Sequence, residues 1–136
     1  MMNGWRGSRA NSEQGTAVAE FVLVSALLTL LTLAVLQLAL ALHIRNTVLD
    51  AAAEGARFAA LADSGLARGA ERSRDLITSA LGPDYAADVS ASYADVAGQA
   101  GVQIRVVAPL PLLGLLGMDR GLEVTGHAAV EGLETE

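Results

Sequence analysis

The sequence predicts an α+β protein. A long N-terminal membrane-crossing helix extends into a small exported domain made of a second helix and a three-stranded antiparallel sheet. Three observations predict it. The chain carries no charge from Phe21 to Leu42. Helix-forming residues then continue without proline to Ala62, with small side chains at helical spacing. After Gly82 and Pro83 the apolar period changes from 3.6 residues to 2.

The bounds set by composition agree with this layout. A chain of 136 residues has room for one domain, and the membrane segment takes part of it. The formal charge of -6 speaks against nucleic acid as a partner, because phosphate binding needs clustered cations. The absence of cysteine removes disulfides, thiolate catalysis and Cys-based zinc sites together. All nine basic residues are Arg, which reflects coding bias and carries no mechanism.

In chain order, residues 1–15 read as a polar, disordered cytoplasmic leader, open to cleavage and without a hydrophobic period. Arg6 and Arg9 make it basic, while the flank beyond Leu42 sets Arg45 and Arg57 against Asp50, Glu54 and Asp63. Positive charge stays inside, so the expected topology in a bacterial cytoplasmic membrane is N-terminus in and C-terminus out. At about 1.5 Å rise per residue, the uncharged run reaches roughly 33 Å, enough to cross the hydrocarbon core. Ser25, Thr29 and Thr32 lie along one side of it. They form either a partner-facing stripe or the ordinary tolerance of hydroxyls that bond back to the helix.

The helix is expected to run on to about residue 63. Ala52, Gly55, Ala56, Ala59 and Ala62 recur at three and four residues and allow a second backbone to come close. Glu54 and Arg57 are helical neighbours able to pair. Residues 64–136 then form the small α+β domain. Asp63, Ser64 and Gly65 break the chain, and a second helix follows from Leu66 to Leu81. Its buried side comprises Leu66, Ala70, Ser73, Ile77 and Ala80 or Leu81. Three strands follow, with Val89, Ala91 and Tyr93, then Val102, Ile104 and Val106, then Leu122 and Val124 on the apolar face. A turn over Asp95 to Gly101 joins the first two. The apolar stretch from Pro109 to Met118 is too short to span a bilayer. It either docks on a neighbour or on lipid, or it folds over its own sheet.

No catalytic constellation is visible, and no cofactor or metal is expected: His43 and His127 are distant in sequence, and no acid has metal-ligand spacing to either. Glu20 is the residue that calls for an explanation. A carboxylate at the mouth of a membrane helix is either an incidental interfacial acid or a functional one. If the bond after Gly15 is cut, Thr16 becomes a charged N-terminus one helical turn from Glu20. An amine and a carboxylate at that spacing can pair within the molecule or between neighbours.

The segment from Gln14 through Gly15, Thr16 and Glu20 to Phe21, with the apolar run, resembles the processing site of type IV pilin-like proteins. The block from Arg45 to Ala60, with Glu54, Gly55, Ala56 and Arg57 at its centre, resembles the second signature of the TadE-like family. Those are minor pseudopilins of tight-adherence (Flp-type) pilus systems. The resemblance implies cleavage between Gly15 and Thr16 by a prepilin peptidase, with Glu20 acting in recognition or assembly. It further implies other pseudopilins, the major pilin and the inner-membrane export platform as partners, with membrane lipid around the helix. Phe21 stands where major pilins of such systems carry Tyr, which fits a minor component. Two rivals remain. Signal peptidase could act after Ala41, at Ala39-Leu40-Ala41, and release a secreted binding protein. An uncleaved anchor could instead hold a small scaffold or sensor domain.

Overall fold

The computed structural model describes residues 6–61, 65–110 and 121–130, with side chains from Ala10 onward. The elements are α1 (Arg6–Leu61), α2 (Gly65–Leu81), a 3-10 turn (Pro83–Ala86), β1 (Asp88–Val96), β2 (Gln99–Ala108) and β3 (Leu122–Ala129). The strands pair antiparallel in the order β1-β2-β3. The protein is therefore α+β, with the long apolar helix, the second helix and the three-stranded meander that the periodicity indicates. The chain falls into two units, Met1–Ala39 and Leu40–Glu136.

The first unit is helical from Arg6, so the leader expected to be disordered is helical over residues 6–14. Nothing in that stretch stops a helix: it contains no proline, and Ala10 and Glu13 are good helix formers that extend a helix already nucleated downstream. Its apolar window has a mean hydropathy of 2.4 and none of it is buried in the chain. The helix is long and apolar enough to cross a membrane. Thr29 and Thr32 donate their hydroxyls to the carbonyls of Ser25 and Leu28 at 2.8 Å. These two hydroxyls are thus satisfied inside their own helix, as a lipid environment demands.

In the second unit the core begins at Ile44 and runs along α1 through Val48, Ala51, Ala52, Ala56 and Ala59. The opposing side chains are Ala70 and Ile77 of α2, Val89 of β1, Val102, Ile104 and Val106 of β2, and Val124 of β3. Val89, Val106 and Val124 lie in one cross-strand row, and Ala91, Ile104 and Gly126 in the next. The period-2 pattern therefore presents one face of the sheet to the helices. Tyr93 shares that face but is 72% exposed, contrary to its expected burial. It lines a hollow with Ala59, Ala60 and Leu66, and the short alanine side chains on α1 do not fill the space beside its ring.

Two turns carry the chain reversals. Val96 pairs with Gln99, so the hairpin loop is only Ala97 and Gly98, narrower than the expected Asp95–Gly101 turn. Both loop residues have positive φ, 54° and 82°, the two-residue geometry that matches strand twist. Asp95 Oδ1 accepts a 2.7 Å hydrogen bond from the Gly98 amide and holds the loop closed. At the end of α2, the Gly82 amide donates to Thr78 O at 3.0 Å with φ at 104°, and Pro83 follows. Glycine accepts that conformation and proline ends the helix, as their order in the sequence requires. The 3-10 turn after Pro83 has no periodic signature in the sequence. Ala62, the chain-breaking Asp63 and Ser64, the apolar stretch from Pro111 to Met118 and residues 131–136 lie outside the described residues.

Candidate processing and packing sites

The two groups of residues singled out in the sequence lie in different units. Gly15, Thr16, Glu20 and Phe21 all fall within α1 and are exposed. Thr16 Oγ1 donates to Ser12 O at 2.9 Å, the same backward bond seen deeper in the helix. Ser12, Glu13, Thr16, Ala17 and Glu20 line one shallow hollow on the helix surface. Two carboxylates, Glu13 and Glu20, therefore share a face two turns apart, with Thr16 between them.

Gly15 has no structural reason to be glycine within this chain. A Cβ built on it meets no atom within 4 Å, and its φ is not in the left-handed region. Glycine inside a helix costs about 0.5–1 kcal/mol relative to alanine. The cost is uncompensated by any packing in the described structure.

Gly55 is the opposite case. A Cβ there would lie against Ser73 Oγ, 2.5 Å from the Gly69 carbonyl oxygen and 3.0 Å from Ile104 Cδ1. A Cβ on Gly69 would meet Ala59 Cβ at 2.6 Å and the Gly55 carbonyl oxygen at 2.8 Å. α1 and α2 thus cross with their backbones in contact, glycine against glycine. Ser73, fully buried, donates its hydroxyl to Ala51 O at 3.0 Å across the same crossing. A small residue and a buried hydroxyl suit an interface this close, because the hydroxyl finds a backbone acceptor where a larger group would have no room.

Within the four-residue block, Gly55 and Ala56 are buried while Glu54 and Arg57 are exposed. Glu54 and Arg57 do not pair. Among the described residues the ion pair within 4 Å is Arg105 with Glu123, at 2.6 Å across β2 and β3. An exposed i, i+3 pair gains too little to fix two flexible side chains. The Arg105–Glu123 contact is a double one, with Arg105 Nη2 also donating to Glu123 Oε2 at 2.9 Å. That hydrogen bonding first, and the guanidinium charge second, holds the Glu123 carboxyl below its ordinary value.

Three residues outside the sequence expectations complete the packing. Gly126 lies against the backbone of Ala52 and Ala53, where a Cβ would come within 2.5 Å of Ala52 C and 2.8 Å of its oxygen. A glycine inside an alternating strand is a sequence signal for such close approach. Gly69 precedes Ser73 by one turn and extends the buried side of α2. Arg74 donates from Nη2 to Val89 O at 2.9 Å, tying α2 to β1, and nothing in its sequence neighbourhood distinguishes it from other surface arginines. Among the described residues no group of His, Asp and Glu side chains is placed to hold a metal ion.

The family model for TadE-like protein matches residues 15–57. This segment is TadE-like. The match opens at Gly15 and closes at Arg57, so it spans both residue groups and the apolar run between them, under a third of the chain. No curated protein and no solved structure matches the chain. The TadE-like segment contributes the membrane-length helix and the α1 side of the glycine crossing. The α2 side and the sheet lie beyond it and are described from their own residues alone. The match thus lies on the helix that is long and apolar enough to cross a membrane.

Proposed function

We propose that the chain is a minor pseudopilin of a Flp/Tad-type pilus, cut by a prepilin peptidase between Gly15 and Thr16. It sits in the bacterial cytoplasmic membrane with its N-terminus inside and its C-terminal unit exported. It acts in pilus assembly through contacts with other pseudopilins, the major pilin and the export platform, and it catalyses no reaction. The observation that carries this reading is Gly15. It is a helix-interior glycine that no neighbour and no backbone angle demands, at the first residue of the TadE-like match. A residue that costs stability and is not needed by its own fold is accounted for by an outside reader, here the substrate groove of a peptidase.

The surroundings of Glu20 support the same reading. Before cleavage, the hollow on this face holds two carboxylates, Glu13 and Glu20. Cleavage removes Glu13 together with the Ser12 carbonyl that Thr16 bonds, and leaves an ammonium at Thr16 one turn from Glu20. Two like charges give way to an opposed pair, which lowers the cost of holding this end of the helix in a poor dielectric. The amine and acid can close within one chain or between adjacent chains, so Glu20 becomes a register device for helices packed side by side.

Glu20→Ala tests this role. The protein should still insert in the membrane, since the change makes the helix more apolar, while pilus assembly should fail. Normal pili in the E20A strain would show that Glu20 has no part in assembly.

A further inference from the structure

The second unit has two ends along α1, and the packing shows which of them lies beside the end of the apolar run. Val130, Tyr93 and Val102 share a hollow with Ala59 and Ala60, whereas Gly126 rests on Ala52 and Ala53. From Val130 back to Leu122 the strand therefore tracks α1 toward its apolar run. From Gly126 to Leu122 is about 13 Å at about 3.3 Å per residue, and α1 covers that in roughly nine residues, reaching the level of about Ile44. Ala108 is the register partner of Leu122 and arrives at the same level. α2 points the same way. Gly69 meets Ala59, Ser73 bonds Ala51, and Leu76 and Ala80 share a groove with Thr47 and Asp50. Its last residue, Leu81, and Pro83 thus come to this end as well.

Ile44 is the first buried residue of α1, and the uncharged run stops at Leu42. The strand ends at Ala108 and Leu122 therefore stand within about a turn of the boundary between lipid-facing and core-facing helix. Pro109 is exposed there, and Leu110 and Leu122 are half-buried. The opposite end carries the hairpin of Asp95 and Gln99, both exposed.

We propose that the end of the second unit formed by Pro109, Leu110 and Leu122 rests on the bilayer, with lipid as its partner. The inference depends on residues 21–42 spanning the membrane, since the contact continues the lipid-facing surface of that run. The attraction is apolar. The exposed charges near this end are Asp84, Asp88 and the paired Arg105 and Glu123 on the turn and the sheet, with Arg45 on α1, a net acidic set that would not be drawn to anionic headgroups. Such contact would fix the height of the domain above the membrane and limit its swing about α1.

The chain has no cysteine, so single-cysteine variants can each carry one environment-sensitive fluorophore. Full-length protein is placed in phosphatidylcholine vesicles with and without nitroxide-bearing lipid, the nitroxide shallow for the labels on the second unit and deep in the acyl chain for the label within the span. Labels are attached at Leu110→Cys, Pro109→Cys, Gln99→Cys and, within the span, Leu33→Cys. Labels at 109 and 110 should be quenched at least about two-fold more than the label at 99, with no loss in molar salt, as apolar interfacial contact requires. Pro109 is exposed, so its label reports even if a change at the half-buried Leu110 perturbs folding. Quenching at 33 but not at 109 or 110 overturns the lipid contact alone. Absence of quenching at 33 as well overturns the span on which it rests. A blue-shifted but unquenched label at 109 or 110 means that protein covers this end, which also overturns the proposal.

Discussion

Gly126→Ala isolates the closest contact in the second unit. The new methyl would come within 2.5 Å of Ala52 C and 2.8 Å of Ala52 O, against about 3.5–4.0 Å for an unstrained carbon contact. Both atoms belong to a helix backbone and cannot turn aside, so β3 and α1 must part by about 1 Å. Forced overpacking of this kind costs about 1–3 kcal/mol. Replacing a strand-interior glycine returns about 0.5–1 kcal/mol. A clash this close against backbone lies in the upper half of that range, so the net loss is about 1–2.5 kcal/mol, or roughly five- to sixty-fold in the opening equilibrium at 1.4 kcal/mol per tenfold. Amide hydrogen exchange on the full-length protein in detergent reads this directly in peptides covering β2 and β3, with α1 peptides before Ala39 as the internal control. Protection equal to or above that of the parent would refute the packing of β3 on α1.

Three further outcomes follow from individual residues. Ala97 holds a φ of 54°, a region that costs a side chain about 1–2 kcal/mol and that asparagine tolerates, so Ala97→Asn should raise hairpin stability by up to about 1 kcal/mol; lower amide protection in β1 would contradict it. The Glu123 carboxyl is held down by Arg105, so its contribution is fully present above the ordinary carboxylate pKa and is lost as pH falls through the lowered folded value. Arg105→Gln should therefore raise the Glu123 titration midpoint measured by NMR, and added salt should raise it in the parent protein, because both side chains are about half exposed. An unchanged midpoint would show that the pair does not form in solution. Gly15→Ala should leave the second unit as stable as before and strengthen α1 locally, while abolishing cleavage; efficient processing of G15A would remove the argument drawn from that glycine.

The parts of the fold visible in the sequence are those set by local pattern. The apolar run, the Ala52–Gly55–Ala56–Ala59 stripe, the Gly82-Pro83 stop and the alternation around Ile104 each depend on spacing that neighbouring residues display. What the sequence hid depends on distant partners. The burial of Gly69 and Gly126 follows from backbones many residues away, although a glycine within a strand pattern hinted at the second. Tyr93 occupies an apolar position in its strand, yet the helix residues beside it, Ala59 and Ala60, are too small to cover its ring. Glu54 and Arg57 have the spacing to pair, but at an exposed position spacing supplies opportunity without much energy. The helix over residues 6–14 is hidden because polar composition reads as disorder, whereas a helix formed downstream extends upstream until something stops it. For the candidate site, the sequence located Gly15 and Glu20; the structure adds that Gly15 has no neighbour and that Glu13 shares the hollow of Glu20.

The measurement closest to the central claim is the N-terminal residue of the mature protein recovered from membranes. Processing as a pseudopilin predicts Thr16, with the leader and its Glu13 gone and a free amine one turn from Glu20. Leu42 would identify a secreted protein released by signal peptidase, and Met1 or Met2 an uncleaved anchor; either result would contradict the account.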